Sequence, residues 1–191
     1  MNHIGTLPIE TPRLLLRPFT RNDAPAMFTN WANDDRVTKF LRWPTHRSVK
    51  DSEKFLTHLV GAYDNRDFYL WAITLKNQDA QPIGSIGVVD KNEATNMVHI
   101  GYCIGQKWWN NGITTEAFAG VIPFLFDKVK VNRIESQHDP NNPASGKIML
   151  RCGLTHEGTL RQSDISNRGI VDAAVYGLLA QDYYNGLSIN A

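Results

Sequence analysis

Tyr102-Cys103-Ile104-Gly105-Gln106-Lys107-Trp108-Trp109-Asn110-Asn111-Gly112-Ile113-Thr114-Thr115-Glu116-Ala117 is the stretch on which the fold turns. It reads as the end of a strand, a short polar loop with a glycine, and the start of an amphipathic helix. The first turn of a helix leaves backbone N–H groups without partners, and with the helix dipole they bind phosphate well. Gly112 removes the Cβ where a pyrophosphate would approach. A backbone anion site near Asn110 to Thr115 is therefore allowed. The segment is neither a P-loop, since no Gly-Lys-Ser/Thr follows, nor a dinucleotide fingerprint, since three spaced glycines are missing. By itself, a strand-loop-helix with one glycine is usually only a connection.

Upstream, Met97 to Ile104 reads as a strand, with Pro82 to Asp90 and Phe68 to Leu75 as two more. Polar turns at Asn77 to Gln81 and Asn92 to Asn96 separate them, the pattern of an antiparallel meander. Before them, Ser48 to Tyr63 reads as a helix with Val49, Phe55, Leu56, Leu59 and Val60 on one stripe and Ser48 or Asp51 as its cap. A strand over Arg13 to Phe19 precedes a helix capped at Asn22 or Asp23, with Ala26, Phe28, Trp31 and Ala32 on a shared face. Downstream, the helix from about Gly112 to Val129 contains Pro123, which predicts a bend. Asn132 to His138 reads as a strand. Asn142, Pro143 and Gly153 frame a compact helix as cap, first position and stop. Strands near Leu154 to Leu160 and Val171 to Leu179 complete a mixed α/β (α+β) chain with a mostly antiparallel sheet.

The bulk numbers agree with a globular protein. The 191 residues are 42% hydrophobic and 20% charged, enough for one domain with a real core. Twenty basic against nineteen acidic residues argue against a dedicated nucleic-acid binder. No apolar run approaches a membrane span. Met1 to Pro8 has no secretory pattern. Cys103 and Cys152 form neither a metal motif nor a disulfide framework, so no metal is expected and a reduced, cytoplasmic protein is.

Several ordered motifs resemble the GCN5-related N-acetyltransferase (GNAT) family. They look most like the branch that includes bacterial enzymes acetylating the N-terminal amine of ribosomal proteins. The matching residues are Ile100-Gly101-Tyr102, Trp109, Gly112 and Thr115-Glu116-Ala117, then Asn142-Pro143-Ala144-Ser145, Cys152-Gly153-Leu154 and Glu157-Gly158. The opening Glu10-Thr11-Pro12-Arg13-Leu14-Leu15-Leu16-Arg17 matches as well. The resemblance covers residues 8–185 as one N-acetyltransferase domain. It implies a sheet splayed into a V between two parallel strands, with helices on both faces, and acetyl-CoA as co-substrate. Pantetheine would pair with the backbone of Tyr102, Cys103 and Ile104 like an added strand. The pyrophosphate would rest on amides of Trp109, Asn110, Asn111, Gly112, Ile113 and Thr114. Asn142 would contact the pantetheine arm or the thioester region. The loop departs from the family in having Asn110 and Asn111 where glycines and a basic residue are common. A homodimer is a further expectation from the resemblance.

Acetyl transfer to an amine needs a neutral nucleophile, a route for its proton, a donor for the oxyanion and a proton for the leaving thiolate. His99, on the strand before Tyr102, is the first candidate base; the competing reading is a histidine that only hydrogen-bonds a neighbour. His138 and Asp139 follow it. Ser145 is the candidate donor to the thiolate, against a surface hydroxyl, and Asn142 has a competing reading as an N-cap. Glu116 is expected to stabilise its helix N-terminus, and Cys103 to be a buried thiol. Arg36, Arg42, Trp43 and His46 lie on the loop between the first two helices, where acceptor contacts are expected. The acceptor is a primary amine, either a protein N-terminus or a small molecule such as a polyamine, amino acid or antibiotic. A CoA-binding module without turnover is the alternative from another class.

Overall fold

A computed structural model describes residues 1–76 and 80–189. The turn expected over Asn77 to Gln81 falls largely outside them. One eight-stranded sheet runs through the molecule in the order β1-β2-β3-β4-β5-β6-β8-β7. Its strands are β1 (Ile9–Glu10), β2 (Leu14–Arg17), β3 (Leu70–Leu75), β4 (Pro82–Asn92), β5 (Met97–Ile104), β6 (Arg133–His138), β7 (Thr155–Ser166) and β8 (Gly169–Leu179). Every neighbouring pair is antiparallel except β5 and β6.

That exception positions the site. β5 and β6 pair only through Met97–Arg133, Val98–Ile134 and His99–Glu135. Beyond His99 the two strands part, and the gap is the mouth of the expected V. Ser136, buried at 1% exposure, donates its hydroxyl to the Ile100 carbonyl at 2.8 Å. A side chain thus takes the acceptor that the next ladder bond would have used.

Helices cover both faces. On one side, α4 (Ile113–Pro123) packs Ala117, Phe118 and Val121 on Leu14, Trp71, Ile100 and Ile134. Pro123 does not end this helix: a wider turn carries on over Phe124–Val129 and absorbs the lost backbone bond. α5 (Pro143–Arg151) lies beside it and buries Met149. On the other side sit α1 (Ala24–Met27, extended by a wide turn over Phe28–Ala32), α2 (Asp35–Thr38) and α3 (Val49–Ala62). Phe19, Met27, Trp31, Leu56 and Leu59 form a second core there, with Cys103 against it. α6 (Ala180–Ile189) ends the described chain.

The strand and helix types follow the sequence, with local corrections. Thr20 opens a short turn ahead of the first helix, through a reciprocal cap with Asp23, and Asp23 stands at the expected N-cap position of α1 with Pro25 behind it but makes no side-chain cap bond there. Ala24, Met27 and Trp31 form the buried face where Ala26 and Phe28 were expected; those two are half-buried. Ser48 and Asp51 do cap α3 together, but Phe55 is exposed. The hairpin of β7 and β8 runs well past Leu160, to Ser166 and Gly169. β1, α2 and α6 had no counterpart in the sequence reading.

Candidate active site

The loop after β5 delivers chain to α4 with its amides exposed. Gly105 starts a tight turn over Gln106–Trp108. Its own N–H returns to Ile83 of β4, and an added Cβ would lie 2.2 Å from the Asn30 carbonyl. Asn110 (φ 59°) and Gly112 (φ 70°) are both left-handed, the conformation Gly and Asn adopt at low cost. Gly112 is the residue before α4, and the first intrahelical bond runs from Glu116 N–H to its carbonyl. The amides of Ile113, Thr114 and Thr115 are therefore the orphans of the helix start. The Trp109 amide is not among them, because it bonds the Gln106 carbonyl at 3.1 Å. The expected row of donors from Trp109 to Thr114 thus begins one residue later.

β5 narrows the expected strand pairing in the same way. Its peptide groups alternate sides: Ile100 and Ile104 carbonyls face the gap, taken by Ser136 Oγ and by Trp109 Nε1 at 2.9 Å. Gly105 N–H and the Cys103 carbonyl face β4. Cys103 cannot pair with a guest in the V, and Ile104 has only its N–H to offer. Tyr102 is the residue whose N–H and C=O both face the gap past the end of the ladder. The Cys103 thiol sits on the α1–α3 face at 3.3 Å from Ser85 Oγ, and burial raises its pKa, as expected of a packed thiol.

Asn142 and Ser145 come from the start of α5, beside the same gap. Asn142 does not cap: its backbone is at φ −115°, ψ 64° and its side chain makes no cap bond. That amide is left for another partner. Ser145 is not a free surface hydroxyl. Its Oγ donates to the Tyr102 hydroxyl at 2.9 Å, and that hydroxyl donates to the Ser145 carbonyl at 2.9 Å. The pair ties α5 to β5, and burial drives the Tyr102 pKa far up. With its proton directed at Tyr102, Ser145 must rotate before it can serve a thiolate.

His99 points to the opposite face, with its side chain 12% exposed and Nδ1 3.5 Å from Glu135 Oε1. The carboxylate can only accept, which biases hydrogen to Nδ1 and leaves the Nε2 lone pair. Burial lowers the His99 pKa and outweighs the raising effect of Glu135. The imidazole is thereby neutral at neutral pH and able to take a proton. Glu135 is itself held by Arg133 Nη2 at 2.8 Å. His138 carries hydrogen on Nδ1, which bonds the Asp139 carbonyl, and Nε2 lies 3.5 Å from the Tyr176 hydroxyl beneath α5. Gly146 leaves no room there, since a Cβ would be 2.5 Å from Nε2. His138 is therefore a packed residue rather than a second base.

Three groups at the site were missed. Glu135 and Ser136 meet β5 only through the parallel register, which no local pattern encodes. Arg13 reaches the loop from the β1–β2 turn, donating Nη1 to the Asn111 carbonyl at 3.0 Å and Nε to Glu116. Glu116 also accepts from Thr11 Oγ1 at 2.6 Å and the Arg13 amide at 2.8 Å. Its role is to fasten that turn to α4. Burial opposes its ionisation, but these bonds win and hold its pKa below the ordinary range.

Comparison with known proteins agrees with this geometry. The model of the acetyltransferase (GNAT) domain matches residues 13–155. A Bacillus subtilis (strain 168) protein named as the uncharacterized N-acetyltransferase YoaA is 29% identical over 171 residues, 90% of this chain and 96% of its own. The [ribosomal protein uS5]-alanine N-acetyltransferase of Escherichia coli (strain K12) is 35% identical over 60 residues, 31% of each chain. The crystal structure of the microcin C7 self-immunity acetyltransferase MccE, in complex with acetyl-CoA and AMP, superposes with a TM-score of 0.79 at 23% identity, covering 88% of this chain and 93% of that one. With a family model spanning most of its length and a matching fold, this chain belongs to the GNAT family and is an N-acetyltransferase.

Proposed function

We propose that the protein transfers the acetyl group of acetyl-CoA to a primary amine by direct attack within a ternary complex. The observation that carries this is the pairing of two unsatisfied backbone surfaces at one gap. The orphan amides of Ile113 to Thr115 suit a diphosphate, and the Tyr102 carbonyl with the Ile104 N–H suits the amides of a pantetheine arm. Asn142, with its side chain uncommitted, stands beside them.

In the reaction the amine nitrogen bonds to the thioester carbonyl carbon and the carbon–sulfur bond breaks. The Tyr102 N–H is the donor placed for the carbonyl oxygen as charge gathers on it. His99 Nε2 takes the proton the nitrogen loses, directly or through water, and Glu135 steadies the imidazolium. Ser145, once turned from Tyr102, passes a proton to the thiolate as it takes one from water, and His99 releases its proton to solvent, so both side chains end the cycle as they began. The acceptor is read as a small amine or a protein N-terminus; the latter draws on the name of the ribosomal-protein relative.

The test is calorimetric titration with CoA, followed by thiol release from acetyl-CoA against an amine panel. Tight CoA binding with amine-dependent thiol release is expected. Binding without turnover on any amine would leave a CoA-binding module instead.

A further inference from the structure

His99 stands at the end of a line of alternating charges that runs across the sheet. Its Nδ1 faces Glu135 Oε1 at 3.5 Å. The other Glu135 oxygen is occupied. Arg133, two residues earlier on β6 and on the same face, donates Nη2 to Oε2 at 2.8 Å and Nε to Oε2 at 3.2 Å. Arg133 then reaches past its own strand to β7, donating Nη1 to Glu157 Oε1 at 2.7 Å and Nη2 to Glu157 Oε2. The order is imidazole, carboxylate, guanidinium, carboxylate.

Two features of the backbone make room for this line. β8 lies between β6 and β7, so the Arg133–Glu157 pair has to cross it, and it crosses over Gly177. A Cβ there would lie 2.4 Å from both Arg133 Nη1 and Glu157 Oε1. The register of β7 on β8 also shifts between His156 and Gly158. Glu157 is the unpaired residue of that bulge, and bulges re-aim side chains. A strand glycine and a broken ladder both weaken a sheet. The Glu157 side chain is 42% exposed, and an ion pair so open to water returns little stability. The other contact of Arg133 is Glu135, the partner of His99. The charged groups facing His99 are Glu135 from β6, Asp90 from β4 and Arg42 from the α2–α3 connection. Glu135 is the one in ion-pair contact. How much of its charge acts on the imidazole depends on the claim of Arg133, and that claim on Glu157.

We infer that Arg133 and Glu157 are positioning residues: they hold Glu135 with one oxygen toward His99 and set the pH range over which His99 accepts the proton of the amine. This rests on the reading of His99 as base and deepens it.

The test follows the His99 ring by proton NMR across pH in the full chain, with its signal assigned by its loss in His99→Gln. The acid limb of kcat/KM is measured beside it. Arg133→Met removes the cation that competes for Glu135, and the ring midpoint is expected to rise by about half a pH unit or more. Glu157→Gln leaves Arg133 to Glu135 alone, and the midpoint is expected to fall by a similar amount. A loosened sheet would raise both midpoints, because burial is what lowers His99. Opposite signs therefore separate positioning from packing. A midpoint that stays or rises in Glu157→Gln overturns the inference. That side chain is open enough to water for the variant to fold, so it decides alone if Arg133→Met does not fold. Ring midpoints that move while the acid limb stays overturn His99 as base and this inference with it, and leave acetyl transfer standing. Turnover on no amine overturns the acetyl-transfer reading and this inference together.

Discussion

Substituting Gly112 separates backbone strain from guest binding at the start of α4. Gly112 sits at φ 70°, and an added Cβ would meet nothing nearer than Arg13 Nη2 at 3.6 Å, an ordinary contact. Gly112→Ala therefore has no internal clash, and its cost is the left-handed backbone, about 1–2 kcal/mol. For a chain of this size that lowers Tm by roughly 2–8 °C. Gly112→Asn tolerates the same backbone better and should recover most of that loss. Both variants, however, put a side chain at the mouth of the amide cluster. Thermal melts and CoA titration should thus disagree: Asn near wild type in Tm, yet both variants weaker for CoA by about tenfold or more. If Gly112→Asn bound CoA like wild type, the diphosphate would not sit on these amides and the reasoning would fail.

Other variants probe other parts of the argument. Because burial depresses His99 below the ordinary imidazole value of 6.5, the acid limb of kcat/KM should lie below that pH and vanish in His99→Gln; an unchanged profile removes His99 as base. The same shift has a stability sign: the unfolded chain gains the proton first, so His99 costs stability as pH falls below 6.5, and melts of His99→Gln should lose that increment. Tyr102→Phe strips both bonds to Ser145 and should cost about 1–3 kcal/mol by denaturant titration, more than Ser145→Ala, which keeps the Tyr102 bond to the Ser145 carbonyl. Arg17 holds both Asp23 oxygens at 2.8 Å, with that carboxylate 9% exposed; Arg17→Leu leaves it buried and unpaired and should cost about 3 kcal/mol, a loss that a melt at pH 7 would reveal or deny.

Elements whose boundaries are written in local chemistry were legible. β5 runs from Met97 to Ile104 and α5 begins at Pro143, as read, because an apolar alternation and an Asn-Pro start are visible within a few residues. Elements whose ends depend on distant partners were not. The outer half of β7 buries no apolar stripe, with Ile165 exposed and Asp164 turned to Arg42 and Gln137 rather than to a core, so its sequence looks like loop. Asn142 has the residue type of a cap, but its backbone angles put the side chain elsewhere. At the site, residue types pointed to the loop, to His99 and to Ser145. Which peptide groups were already taken did not show: the Trp109 indole on Ile104 and the Ser136 hydroxyl on Ile100 are contacts of tertiary structure. Arg13 lies nearly a hundred residues from the loop it braces, and no spacing rule connects them.

The three rungs joining β5 to β6 give the molecule a seam. Five strands lie on one side of it and three on the other, and little backbone crosses between them. Side chains of α4 and α5 and the bonds from Asn167 and Asp164 of the β7–β8 hairpin to the α2–α3 connection also join the leaves, and these can adjust without unzipping a ladder. A wedge-shaped slot built this way can breathe, admitting a long guest sideways and letting it go, while both leaves stay rigid.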